Sequence, residues 1–203
     1  MEAKINLTNG DTKTRIFKTA AELFATQGYD RVSIRQICEN VGVGKPTLYY
    51  YFKDKESLLN ELIDYTLHIS RELMAKHTEN STDFHDRLFG MVKAHQEFVL
   101  NYPYFMRLFR MNDFMFLPIK IREQMINYGN GMFIRLLEFL EEGQQQEYLN
   151  KNMDLTLMAN TMIGTLNQLL HRYLFLNDKT VMTDTNLENL FEFWRSTILK
   201  REH

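Results

Sequence analysis

Cysteine, proline and glycine are scarce in this chain of 203 residues, which has one, three and nine of them. The lone Cys38 excludes an internal disulfide, and no Cys or His spacing suits a metal site, so no metal or other cofactor is expected and a reducing cytoplasm fits the composition. No apolar run approaches the roughly 18 residues of a membrane span. The opening MEAKINLTNGDTKTR lacks the apolar stretch and small-residue cleavage site of a secretion signal. A membrane is therefore not an expected partner. Enzyme signatures are missing as well: there is no nucleophile elbow, Walker loop or His-Glu-x-x-His, and Asp83, His85 and Asp86 cluster only where a helix should begin. No catalytic residue is assigned. Finally, period-two alternation of apolar and polar residues is absent, and only Pro46, Pro103 and Pro118 interrupt a helical pattern. What these absences leave is an all-α fold.

What is present begins with 44% hydrophobic residues, enough for a real core at this length. Charge is divided unevenly. Through Lys55 there are nine Lys or Arg against six Asp or Glu, and beyond it fifteen against twenty. A basic front on an acidic body suits a small module that meets a polyanion.

Ile16, Ala20, Leu23 and Phe24 recur on one face of a helix predicted over 12–27, and Gly28 should stop it in the left-handed conformation, with Tyr29 packing back over the last turn. Ser33 and Gln36 have the spacing of a capping box that opens a short second helix carrying Ile37 and Cys38 inward. Gly42 then supplies a tight turn, and Pro46 is tolerated only in the first turn of a third helix starting at Gly44 or Lys45. On that third helix Leu48 and Phe52 share an inner face while Lys45, Pro46, Tyr49 and Tyr50 project outward. Two short helices joined by a glycine turn make a helix-turn-helix, whose second helix enters a DNA major groove. Lys45 suits phosphate or guanine, Pro46 and Thr47 a thymine methyl, and the tyrosine hydroxyls phosphate oxygens. The alternative is a structural aromatic cluster.

The run Ile16 to Leu59, with Ala20-Ala21-Glu22-Leu23-Phe24, Gly28-Tyr29, Val41-Gly42-Val43 and Thr47-Leu48-Tyr49-Tyr50 at fixed offsets, resembles the DNA-binding domain of the TetR family of bacterial transcriptional regulators. Gly44 and Pro46 depart from the pattern, which often has Ser and Gly there, so no operator sequence transfers. The resemblance implies DNA contacts from Lys45, Thr47, Tyr49 and Tyr50, with Ser33, Arg35 and Gln36 adding contacts from the second helix; the departing positions Gly44 and Pro46 are kept beside them as candidate DNA-binding residues. It also implies a phosphate grip by Lys55, for which Asp54 as a helix cap and the adjacent N–H groups form a suitable setting.

The expected division is a helix-turn-helix domain over 1–55 and a helical effector-binding and dimerisation domain over 56–203. Helices are predicted near 55–76, 83–101, 103–111, 118–142, 155–176 and 186–200, the last opened by a Thr185–Glu188 capping box. The penultimate helix is apolar on more than one side, through Leu155, Met158, Met162, Leu166, Leu169, Leu170 and Tyr173. The resemblance implies that it joins Leu187, Leu190, Phe191, Trp194 and Ile198 of the last helix in a two-fold homodimer; an intramolecular core is the alternative reading.

The segment 98–139 is rich in aromatics and Met, as a cavity for an apolar or amphipathic small molecule would be. Candidate contacts are Phe98, Phe105, Phe109, Met125 and Tyr128, with His68, His95, Asn167 and His171 as polar anchors. Plain core is the alternative here too. Gly129 and Gly131 weaken a helical pattern by about 1 kcal/mol each and suggest a kink or close helix crossing. Together these point to a homodimeric repressor that binds a pseudo-palindromic operator in double-stranded DNA and is released by an effector. A transcriptional activator and an effector-free architectural DNA-binding protein are the alternatives.

Overall fold

In α1 (Thr12–Gln27) the apolar stripe Ile16, Ala20, Leu23 and Phe24 is buried throughout, as its spacing requires. The structure, a computed structural model, describes residues 11–108 and 117–198. Gly28 ends α1 with φ 86 and ψ 147, an extended conformation of positive φ rather than the left-handed helical one expected, and one that essentially only glycine adopts. The turn returns Tyr29 onto Phe24, with ring centroids 5.3 Å apart.

After α1 come α2 (Ile34–Val41), α3 (Lys45–Tyr51), α4 (Lys55–Thr78), α5 (Phe84–Asn101), α6 (Pro103–Leu108), α7 (Ile119–Gln145), α8 (Leu155–Phe175) and α9 (Asp184–Ile198). No strand occurs among the described residues, and no helix there is long and apolar enough to cross a membrane. The last helix begins earlier than expected. Thr183, whose hydroxyl accepts from the Asn186 N–H at 3.4 Å, takes the capping place assigned to Thr185, which falls inside the first turn.

The described residues of Met1–Ile69 and Tyr102–Ile126 pack as one unit, and those of Ser70–Asn101 and Asn127–His203 as another. These units do not follow the expected 1–55 and 56–203 division. Leu58, Leu59, Leu62 and Ile63 of α4 are all buried, so the first part of that helix belongs to the core of the first unit. That core is aromatic: Phe17 lies against Phe52 at 5.2 Å, and Phe105 meets Tyr65 edge-on at 5.7 Å.

In the second unit Phe84 is held between Phe139 and Tyr148, its ring nearly parallel to both at 4.7 and 5.2 Å. Met162, Leu187, Phe191 and Trp194 are buried in this same core, and Leu166, Leu169 and Leu190 pack against it. This corrects the interface expectation. Each buried side chain of this size contributes about 1.5–3 kcal/mol to the protomer's own stability, so Met162, Leu187, Phe191 and Trp194 are intramolecular core, whereas Leu166, Leu169 and Leu190 are only partly buried by the protomer. Tyr173 is half-buried, with the Lys179 ammonium 4.0 Å from its ring centre, and the side chain of Ile198 lies outside the described residues. The glycine expectation also changes: a Cβ at Gly129 would meet nothing within 4 Å and one at Gly131 only the Arg135 side chain, so neither marks a close helix crossing.

Candidate nucleic-acid interface and interior cavity

Ser33 starts α2 by accepting the Gln36 N–H on its hydroxyl at 3.1 Å. The reciprocal half of the expected box is missing, because the Gln36 amide donates to Gln27 Oε1 at 2.7 Å instead. At the other end Gly42 takes the left-handed conformation (φ 76, ψ 40), which lets both its own N–H and that of Val43 reach the Cys38 carbonyl at 2.9 and 3.0 Å. Arg15 of α1 donates to the Val41 carbonyl, pinning the turn to the first helix.

Gly44 caps α3 in an extended conformation, with no side chain to accept from the first turn. The seven residues of α3 then divide sharply: Leu48 is buried and the following Phe52 is buried, whereas Lys45, Pro46 and Thr47 are exposed. Tyr49 is 50% and Tyr50 83% exposed. Tyr51 is half-buried and stands edge-on to Tyr50 at 5.0 Å. Presenting a ring that could be buried costs hydrophobic stabilisation, so this surface is shaped for something other than the protein's own core.

Of the residues expected from α2, Ser33 and Arg35 are exposed and Gln36 is half-buried. Arg35 is paired with Glu39 at 2.7 Å, an exposed pair worth little and readily exchanged for a phosphate. Asp54 caps α4 as expected, its carboxylate accepting the Ser57 N–H at 2.7 Å, and that bond holds the carboxyl below the usual carboxylate range. Lys55 does not reach outward. Its ammonium donates to the carbonyls of Tyr29 and Val32 at 3.0 and 3.1 Å and lies 4.2 Å from the Tyr29 ring centre. Burial pulls the Lys55 pKa down, against the nearby Asp30 charge. The expected phosphate grip is thus corrected to an internal staple: two part-buried backbone carbonyls and a ring already occupy the charge.

The second unit contains a cavity of about 520 Å³, within the range of small-molecule sites. Of the nine expected contacts, His95, Phe98 and Tyr128 line it. Phe105 and Met125 are buried in the core of the other unit, and His68 is half-buried there. Asn167 and His171 are on the exposed side of α8, where the His171 ring lies tilted against Phe175 with centroids 5.2 Å apart. Phe109 lies outside the described residues. The apolar wall is instead supplied largely by Met74, Met91, Met132, Leu136, Ile163 and Trp194.

Sequence reasoning missed the cavity's arginines, Arg71, Arg87 and Arg135. A helical projection would have found Arg135, which falls seven residues after Tyr128 and three after Met132 on one face of α7. Arg87 is engaged, 3.8 Å from Glu142 and 4.9 Å from the centre of the Phe139 ring. The Tyr128 hydroxyl donates to Ser70; burial pushes its pKa up, while the Ser70 bond and the charges of Arg135 and Arg71 oppose that. Among the described residues no group of His, Cys, Asp and Glu could hold a metal ion.

Residues 16–62 match the family described as bacterial regulatory proteins, tetR family. The chain is 36% identical over 75 residues to the uncharacterized HTH-type transcriptional regulator YxaF of Bacillus subtilis (strain 168), a match spanning 36% of this chain and only 39% of that protein. It is 22% identical over 173 residues to the uncharacterized HTH-type regulator YdgC of the same organism, covering 83% of this chain and 84% of that one. The fold is similar to that of the ketosteroid transcriptional regulator KstR2 of Mycobacterium tuberculosis, with a TM-score of 0.81, 16% identity, and coverage of 96% of this chain and 98% of the other.

Proposed function

The chain belongs to the TetR family of bacterial regulatory proteins, transcriptional regulators with a DNA-binding helix-turn-helix, and from that premise we propose that it acts as a homodimeric repressor released from a pseudo-palindromic operator by a small apolar or amphipathic effector. The observation that carries the DNA half of this reading is the split of α3, with Leu48 buried and Tyr50, two residues on, 83% exposed beside Lys45 and Thr47. Lys45 meets phosphate or guanine, Pro46 and Thr47 meet thymine methyls, and the two tyrosine hydroxyls meet phosphates. Gly44 lets the backbone approach the strand closely, and Ser33, Arg35 and Gln36 add contacts from α2.

Two such surfaces must meet half-sites about 34–36 Å apart, or a multiple of that, which calls for a two-fold dimer. Its face is the stripe of α8 that the protomer leaves uncovered, Leu157, Thr161, Gly164 and Phe175, with Phe193 of α9. The effector occupies the cavity of the second unit, where α4 contributes Ser70, Arg71, Met74 and Thr78 to the wall. The same continuous helix begins at Lys55, beside the DNA-facing residues. An effector that favours one setting of α4 shifts the population away from the DNA-binding spacing, and each tenfold loss of DNA affinity needs about 1.4 kcal/mol of differential binding.

The test is fluorescence anisotropy with the DNA upstream of the protein's own coding region and a scrambled duplex, at two salt concentrations. Tight, sequence-selective binding with a steep salt dependence is the expected result. Equal weak binding to this DNA and to every duplex recovered by random-sequence selection would defeat the reading.

A further inference from the structure

The cavity is not uniformly apolar, and its polar groups are not evenly spread. Arg71 of α4 and Arg135 of α7 approach it from two helices, and the charges of both act on the hydroxyl of Tyr128. Neither arginine has an ion-pair partner among the described residues. The Arg135 guanidinium lies back along α7 toward Tyr128, across Gly131, where an added Cβ would stand 3.4 Å from its Nη1. Behind the arginines the wall is Met74, Met91, Met132 and Phe98, flexible thioethers and a ring that adapt to an alkyl or alicyclic body.

Resting on the reading of this cavity as the effector site, we infer that it takes an anionic amphiphile, its acid group held between Arg71 and Arg135 beside Tyr128 and its apolar body laid along Met74, Met91 and Met132. A guanidinium presents donors in a fork that matches a carboxylate or a similar oxyacid, and two of them brought together without a protein anion are otherwise mutually repulsive. A cationic ligand is the rival, because Glu79 and Glu138 also line the cavity and also lack an ion-pair partner among the described residues. Convergence decides between them. Arg71 and Arg135 share the cavity wall with Tyr128, the Arg135 guanidinium lying back over Gly131, and the remaining acidic residue, Glu142, is already matched to Arg87.

Trp194 is the chain's single tryptophan and forms part of the cavity wall, so its fluorescence reports occupancy directly. The full-length protein is titrated at neutral pH with dodecanoate, dodecanol and dodecyltrimethylammonium, which share a chain and differ in head charge. Dodecanoate is expected to bind at least tenfold more tightly than dodecanol. Arg71→Ala together with Arg135→Ala should remove that advantage and leave dodecanol binding unchanged. Both substitutions fall on exposed side chains, so folding is retained. The inference is overturned if dodecanol or the ammonium binds as tightly as dodecanoate, if no probe binds, or if the double variant keeps the preference. DNA binding measured without any probe separates the two readings. Retained operator binding with no dodecanoate preference removes only the ligand class, and dodecanoate binding by a protein that ignores DNA removes the regulator reading.

Discussion

The ammonium of Lys55, first residue of α4, donates to the carbonyl of Tyr29 at 3.0 Å and rests over the same residue's ring at 4.2 Å. It ties the start of α4 to the turn after α1, and so fixes the bed on which the helix-turn-helix lies. Lys55→Ala should therefore act first on stability, leaving two carbonyls without their charged donor and costing about 1–3 kcal/mol in urea unfolding. The salt slope of DNA binding separates this from a phosphate contact: it should stay as in the parent protein, whereas loss of a gripped phosphate would lower it by about 0.9.

Tyr50 gives the opposite pattern. Its ring is exposed and stands edge-on to Tyr51 at 5.0 Å, so Tyr50→Ala should change stability by less than about 0.5 kcal/mol. Operator affinity should nevertheless fall about tenfold, equivalent to about 1.4 kcal/mol. Anisotropy titrations with the operator duplex, beside a urea melt of the same sample, would read both numbers.

Glycines that look alike in sequence should respond differently to alanine. At Gly129 an added methyl meets nothing within 4 Å, so Gly129→Ala should stabilise the second unit by about 1 kcal/mol through helix propensity alone. At Gly90 the same methyl would collide with the His77 backbone carbonyl, which cannot move without shifting α4. Gly90→Ala should lower the melting temperature, by an amount corresponding to the roughly 1–3 kcal/mol of an overpacked core. Thermal unfolding of the two variants in parallel checks the contrast in sign.

The helices, their order and the inner and outer faces of α3 were legible in the sequence because each rests on local spacing: Leu48 and Phe52 four apart, and Ser33 three before Gln36. The partner of each polar group was not. Gln36 could turn to its own cap or to Gln27, and Lys55 could reach a phosphate or two carbonyls; only the path of the chain after Gly28 decides. Apolar α8 posed a similar ambiguity. Met162 and Leu157 are equally hydrophobic in a projection, yet the first faces Trp194 and its neighbours in the core and the second is 64% exposed. The cavity arginines escaped notice because a search for apolar contacts passes over charged residues on the same helical face.

Acid should weaken the second unit through Glu97. Hydrogen bonds from Lys76 at 2.8 Å, and next from His77 at 2.7 Å, hold its carboxyl below the usual carboxylate range. A depressed folded-state pKa means that the ion pairs stabilise the fold above the unfolded value of about 4.3 and that this contribution disappears as pH falls through the lower, folded value. Glu97→Gln should thus be less stable than the parent at pH 7, and the gap should close in more acidic buffer. Urea midpoints of both proteins, followed downward from pH 7, would refute this if the gap stayed constant.

The uncovered stripe of α8 and α9 supplies the remaining test. Leu157, Thr161 and Gly164 follow one another at four- and three-residue intervals, and Phe175 continues the same side of α8. Leu157 and Phe193, each more than 60% exposed, contribute little to the protomer's own core. Small residues at 161 and 164 allow a second helix to approach closely, and large apolar ones flank them. Leu157→Lys with Phe193→Lys should leave the helical content and melting of the protomer nearly unchanged, yet convert a dimer to monomer in sedimentation velocity. Operator affinity should fall with it, because a monomer reaches one half-site only. If the double variant sediments as the parent does, the two-fold face lies elsewhere on the chain, and the exposed stripe needs a different occupant.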